Sequence, residues 1–362
     1  MISMPKYKKY VRYSAIGVLI GCSGGAFAQS KVTLYGVLDN GILYTSRTFN
    51  PKSGASGPHQ FSDVDGGISG SRIGFAGSED LGGGAKAIFA LESGFDTNNG
   101  AFGNSNGNFF GRLAYVGVSS NFGTVKAGVQ YSPFALSIID TDSRGASYFG
   151  AQTVIYLGGV FTTALFTPNA VSYTSPLIAG LQGSAMMALG GAAGDFQAGR
   201  QYAARLRYEW KDLVVNAALF SGNSGGAAES TPVPTTVAFV GRTIGADYQL
   251  GNAQIRASFT TYKIAGSFDN KVYSTGVQYT FTPSLTADAG AWIIRDSNNT
   301  SNHSLLTAVG LYYSLSKRTT LYSQGALVNN HGLLHTGISS NGALYEPTGT
   351  STGVMFGIRH KF

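Results

Sequence analysis

Residues able to do covalent chemistry are sparse in this chain. Histidine, a common general base and metal ligand, occurs five times, at His59, His303, His331, His335 and His360. His331 and His335 stand four apart, but Gly332-Leu333-Leu334 between them offers no acid and no helical pattern. A solvated loop is a simpler reading than a metal site. There is no Gly-x-Ser-x-Gly elbow and no glycine-rich loop ending in Lys-Ser/Thr, and Gly82-Gly83-Gly84 reads as a turn. Charges are more telling. Asp140, Asp142 and Arg144 stand together in a long connection rich in Ser, Thr and Tyr, and Arg205, Arg207 and Glu209 recur at a spacing of two. Such charges point to electrostatics rather than bond making. No catalytic residue, cofactor or metal is expected.

The elements that must carry these charges are strands. In Gln201 to Trp210, Tyr202, Ala204, Leu206, Tyr208 and Trp210 share one face, and Gln201, Ala203, Arg205, Arg207 and Glu209 share the other. The final residues repeat the pattern, with Val354, Phe356, Ile358 and Phe362 against Met355, Gly357, Arg359 and Lys361. Period-two alternation is the signature of a strand with one apolar and one polar surface. Sixteen such stretches are expected, from 32–44 to 353–362, among them 66–78, 84–96, 110–120 and 305–316.

Connections between them alternate in length. Those near 79–83, 120–123, 176–179, 211–212, 250–252, 283–284 and 317–318 are tight. Those at 45–65, 97–109, 132–168, 191–200, 221–236, 264–271, 296–304 and 330–352 are long and rich in Gly, Ser, Asn and Pro. An up-and-down meander with one short-turn rim produces this; a Greek-key sandwich has no reason to. An even strand number puts both termini at the short-turn rim, where the end strands pair. The expected fold is all-β: a 16-stranded antiparallel transmembrane β-barrel. Phe362 at the end of the closing strand is expected to serve barrel assembly.

Residues 1–28 look like a cleaved export signal. Lys6, Lys8, Lys9 and Arg12 precede a short uncharged run, and Ala26-Phe27-Ala28 forms a small-x-small cleavage site. Residues 29–362 then make one domain. Removing the leader takes away the only cysteine, Cys22, so no disulfide is expected. It also takes away four basic residues and no acid, lowering the formal charge from +7 to +3. The basic balance is therefore poor evidence for nucleic acid. No later stretch reaches the ~18–20 apolar residues of a membrane helix.

Several motifs carry a family resemblance. Val32-Thr33-Leu34-Tyr35-Gly36-Val37-Leu38-Asp39 resembles the opening strand of the general bacterial porins, in particular their betaproteobacterial and neisserial branch. So do Ser71-Arg72-Ile73-Gly74-Phe75-Ala76-Gly77-Ser78-Glu79-Asp80-Leu81-Gly82, Gly111-Arg112-Leu113-Ala114-Tyr115-Val116-Gly117 and Gly357-Ile358-Arg359-His360-Lys361-Phe362. The resemblance spans the mature chain. It implies a homotrimer in the outer membrane, surrounded by lipid and lipopolysaccharide, that passes ions and small hydrophilic solutes. It also implies that the third exterior loop, within 132–168, folds inward. On that loop Asp140 and Asp142 match acids that face wall arginines, matched here by Arg72 and Arg112.

One departure stands out. Leu165-Phe166-Thr167-Pro168 precedes Asn169-Ala170-Val171-Ser172-Tyr173 with no basic residue, where the family commonly has an arginine. Arg112 also shares its parity with Ala114, Val116 and Val118, which read as lipid-facing, so an inward aim needs a bulge or a place above the membrane band. Alternation alone nominates further lumen residues: Asp39, Lys126, Arg205, Arg207, Glu209, Arg256, Arg359 and Lys361. An outer-membrane barrel enzyme would need a Ser–His pair or carboxylates at the outer rim, and no convincing set is present. A binding protein, either a soluble periplasmic β-domain or a surface adhesin, is the other alternative; fractionation into the aqueous phase marks the first, and a lack of single-channel steps marks the second.

Overall fold

The computed structural model describes residues 31–159, 165–223 and 238–362. The expected leader, 1–28, and part of the long connection at 221–236 lie outside the described residues. Seventeen segments form one sheet that closes on itself; two of them are arms of a single interrupted strand, so the barrel has sixteen. In order these are β1 (Lys31–Thr45), β2 (arms Gln60–Asp65 and Arg72–Gly82), β3 (Ala85–Gly94), β4 (Leu113–Ser120), β5 (Gly123–Tyr131), β6 (Phe166–Thr174), β7 (Leu181–Ala188) and β8 (Gln201–Trp210). Then come β9 (Leu213–Gly222), β10 (Phe239–Leu250), β11 (Ala253–Ile264), β12 (Asp269–Thr282), β13 (Leu285–Asp296), β14 (His303–Ser314), β15 (Thr319–His331) and β16 (Gly349–Lys361). Each strand pairs antiparallel with the next. Two helices, α1 (Pro133–Thr141) and α2 (Gln152–Gly159), lie between β5 and β6.

Closure follows from the backbone. In hydrocarbon an unpaired N–H or C=O costs several kcal/mol, so a membrane sheet must have no free edge. β1 meets β16 in register from Val37 opposite Lys361 to Thr45 opposite Gly353. Gly36 and Phe362 extend the seam, exchanging N–H···O bonds of 3.2 and 3.1 Å. The Phe362 ring lies over Gly36; a Cβ there would meet its Cε1 at 2.7 Å and the Arg72 backbone carbonyl at 2.8 Å, so a larger residue would force the seam to shift.

Side-chain alternation holds around the wall. Tyr202, Leu206, Tyr208 and Trp210 of β8 are exposed on the outer face, while Gln201, Ala203 and Arg205 are buried on the other. Trp210, Phe281, Phe122 and Tyr313 are exposed beside tight turns, forming the aromatic belt of a membrane interface.

Three expectations need correction. Residues 66–78 do not form one strand, and part of 45–65 is strand rather than loop. β1 pairs with Gln60–Asp65 at its upper half and with Arg72–Ser78 at its lower half. Residues 66–71 between the arms wrap around Asp39. Its carboxylate accepts N–H bonds from Gly67 (3.1 Å), Ile68 (3.0 Å) and Ser69 (2.9 Å) and the Tyr322 hydroxyl (2.7 Å). Asp39 is 0% exposed, so it builds the wall rather than lining water. Period-two reading misses the break because both arms keep their alternation. Finally, His303 and His331, which fall in expected loops, instead begin β14 and end β15.

Asp39→Ala strands three N–H groups and a hydroxyl, a destabilisation of about 3 kcal/mol or more. The temperature at which the folded gel band converts to the unfolded one is expected to fall, with Asp39→Asn intermediate. An unchanged transition in Asp39→Ala rules out this role.

Candidate pore constriction

The segment between β5 and β6 starts with a well-formed cap. Ser132 accepts the Ala135 N–H at 3.0 Å and Pro133 opens α1, where its missing N–H costs nothing. Phe134 packs against Phe220 and Tyr262, with ring centroids 6.1 and 6.3 Å apart. Gly245 on β10 admits the helix: a Cβ there would meet Thr141 Cβ at 2.7 Å.

After α1 the segment is held by a buried arginine. Arg144 is 4% exposed. Its Nε donates to Asp288 at 2.7 Å, and its Nη2 donates to Tyr312 at 2.8 Å and Gln324 at 2.7 Å. Its Nη1 closes the loop on itself through the carbonyls of Phe149 (2.6 Å) and Gly150 (3.1 Å). Ser147 donates to the Gly67 carbonyl, Gln152 to Thr260 at 2.8 Å, and the Gly150 N–H to the Ile338 carbonyl at 2.7 Å. The segment is thus bonded to the polar face of the sheet on β11, β13, β14 and β15, and to the β2 break.

The two loop acids have different fates. Asp142 is 0% exposed and accepts backbone N–H bonds from Arg144 and Gln152, both at 2.9 Å. It shapes the loop and does not face a gap, contrary to expectation. Burial raises its pKa to about 6, and those N–H bonds pull the other way. The Asp140 side chain keeps 39% exposure and pairs with Arg205 and, at 3.7 Å, with Arg207. Arg207 pairs with Glu209 in turn. Asp140 is therefore bound to β8 directly, not set across a gap from Arg72 and Arg112. Arg256 donates to Asp247 at 2.8 Å and to the Asp142 carbonyl at 3.3 Å, so it too holds the loop.

Arg72 and Arg112 do share a site, around a carboxylate that sequence reading passes over. Glu92 accepts from Arg112 Nε at 2.7 Å and from the Tyr35 hydroxyl at 2.9 Å, and Arg72 Nε lies 3.6 Å away. The signal for Glu92 is its alternation with Leu91 on β3. Arg112 precedes β4, so its parity does not bind it. A bend before Leu113 lets it reach Glu92, Tyr131 (3.1 Å) and the face of Phe166 (4.7 Å). Phe166 lies in the stretch that lacks the expected arginine. Arg112 is 3% exposed, which makes it a framework cation; Arg72 retains 25% side-chain exposure.

Lys126, Arg359 and Lys361 make no ion pair among the described residues. Lys126 lies over the Tyr115 ring at 4.6 Å. Val37 separates Arg72 from Lys361 across the seam, and Asp39 stands opposite Arg359, so three cations share one patch of inner wall.

A closed sixteen-stranded cylinder, greasy outside and charged within, has the architecture of an outer-membrane channel. The profile described as Gram-negative porin matches residues 15–333, and the chain belongs to that family. It is 27% identical to an outer membrane porin protein of Bordetella pertussis, over 96% of this chain and 98% of that protein. It is likewise 27% identical to outer membrane porin protein 32 of Delftia acidovorans, over 95% of this chain and 97% of that one. The anion-selective porin from Comamonas acidovorans superposes with a TM-score of 0.79 at 24% identity, covering 92% of this chain and 100% of that one. The protein is a porin of the cell outer membrane and forms a channel through it.

Protonation of Asp142 is easier in the packed loop than in a loosened one. Loop packing is therefore firmest below about pH 4 and weakens as pH rises through about 6. Open-channel current noise is expected to grow over that interval in the native protein and to stay level in Asp142→Asn. Parallel pH profiles for the two proteins contradict this assignment.

Proposed function

We propose that the channel passes ions and small hydrophilic solutes by passive diffusion, with a preference for anions. The segment between β5 and β6 acts as the inward-folded loop that narrows the lumen. The observation that carries this reading is the state of the wall charges. The carboxylates Asp39, Glu92, Asp247 and Asp288 are engaged by backbone N–H groups or arginines. Lys126 and Lys361 make no ion pair among the described residues, and Arg359 stands opposite Asp39, whose carboxylate is already taken up by backbone N–H groups. Unpaired cations in a narrow wet gap raise the local anion concentration and lower the entry barrier for negative solutes. The Comamonas porin that shares this fold is itself named as anion-selective, in keeping with this reading.

The working constriction charges are then Arg72 on β2 and the Asp140–Arg207–Glu209 chain at β8, while Arg112, Arg205 and Asp142 set the frame. The assembly is a homotrimer, as in the trimer form of OmpT of Vibrio cholerae, which shares the fold. Its outer wall meets membrane lipid and lipopolysaccharide.

Reversal potentials across a salt gradient in planar bilayers test this. Native protein is expected to favour anions. Arg72→Ala and Lys126→Ala each shift the potential toward cations, while Lys317→Ala in a tight turn leaves it unchanged. A cation-selective native channel overturns the preference; an unmoved Arg72→Ala variant removes Arg72 from the constriction.

A further inference from the structure

Barrel registry places a row of basic side chains on the outer face, away from the lumen. Lys271 of β12 stands directly opposite Arg295 of β13, Arg295 opposite His303 of β14, and His303 opposite His331 of β15. Parity puts all four on the lipid side, with the exposed Tyr273, Ile293 and Leu305 one step below on the same face. Adjacent strands are about 4.8 Å apart, so the row spans about 15 Å. It lies at the long-loop ends of its strands, the upper edge of the apolar band. Neither Lys271 nor Arg295 has an ion-pair partner among the described residues. The nearby Asp269 pairs with Lys263 at 3.4 Å. The two imidazoles stack, with centroids 4.3 Å apart.

Like charges directly across a strand pair destabilise a sheet. The Lys271–Arg295 pair is therefore unfavourable until an anion sits between them, and at a membrane edge that anion is a lipid headgroup. Beneath the row the same strands supply room for chains. Thr275, Ala289, Ala291, Thr307 and Gly325 line an outer groove of about 520 Å³, floored by small residues and flanked by Val277, Val309 and Leu327. Cations above a shallow apolar groove match one ligand chemistry: phosphates on a head carrying several acyl chains.

We infer that the outer face of β12–β15 is a binding site for the phosphorylated, multiply acylated lipid of the outer leaflet, lipopolysaccharide. Lys271 and Arg295 hold its phosphate, and the groove below seats an acyl chain. The inference rests on the lipopolysaccharide contact proposed above and locates it.

The test uses the full mature protein refolded in phosphatidylcholine vesicles, with bisphosphorylated lipid A, dephosphorylated lipid A or inorganic phosphate added. The readout is the thermal unfolding transition. Native protein is expected to gain several degrees with bisphosphorylated lipid A and little from the other two additions, and the gain shrinks with added salt. Lys271→Gln/Arg295→Gln is expected to lose that gain while keeping its folded gel mobility and single-channel conductance. Lys317→Gln/Arg318→Gln, at the opposite rim, keeps the gain in full. If native protein responds to neither lipid, the lipopolysaccharide contact itself fails. If native protein responds but the double variant responds equally, the contact stands and this site is wrong. An equal response to dephosphorylated lipid A removes the phosphate role, and a response to inorganic phosphate alone makes it a simple anion site. Loss of trimer in the double variant makes the face a subunit contact and overturns the proposal.

Discussion

A sheet in hydrocarbon has nowhere to leave an unpaired backbone group, and the β1–β16 seam is where this chain meets that constraint. Gly36, Phe362 and the Val37–Lys361 register close the ring, and closure creates two chemically separate surfaces from one alternating pattern. Everything polar must then be satisfied inside the cylinder or on its rims. Among the described residues the inner wall accordingly carries nearly all the ion pairs and side-chain networks.

Inside, the organising unit is a carboxylate or cation held by several partners at once. Asp39 gathers three N–H groups and so interrupts β2; the carbonyl of Gly67, exposed by that interruption, receives Ser147 of the long loop. Arg144 joins the same loop to Asp288, Tyr312 and Gln324. A buried arginine of this kind is weak evidence for stability, because desolvation offsets much of its attraction, but it fixes one arrangement among many. Loop position and wall structure are thus coupled through shared groups. Arg72, Asp140, Arg207 and Glu209 keep part of their side chains exposed.

Charged residues are harder to read than strands. Strands β5 and β8 lie where alternation places them, at 123–131 and 201–210, because a two-residue period survives any register. Charges have no such period. Asp142 and Asp140 are two residues apart and look alike in sequence; one is buried by backbone donors and the other reaches Arg205. Arg112 escapes its parity because a bend precedes β4. Glu92 is visible as a polar residue among apolar ones, but its partners, Tyr35, Arg72 and Arg112, come from three different parts of the chain.

Strand number, the two faces, the short and long rims and the membrane setting were all determined by the chain's own alternation and turn composition, since those depend on neighbours one to four residues apart. The β2 break, the division of charges into framework and wall, and the basic row on the outer face were decided only by tertiary structure. Each depends on which strands the closed ring makes adjacent, and Lys271, Arg295, His303 and His331 become a single row only once four neighbouring strands are in register.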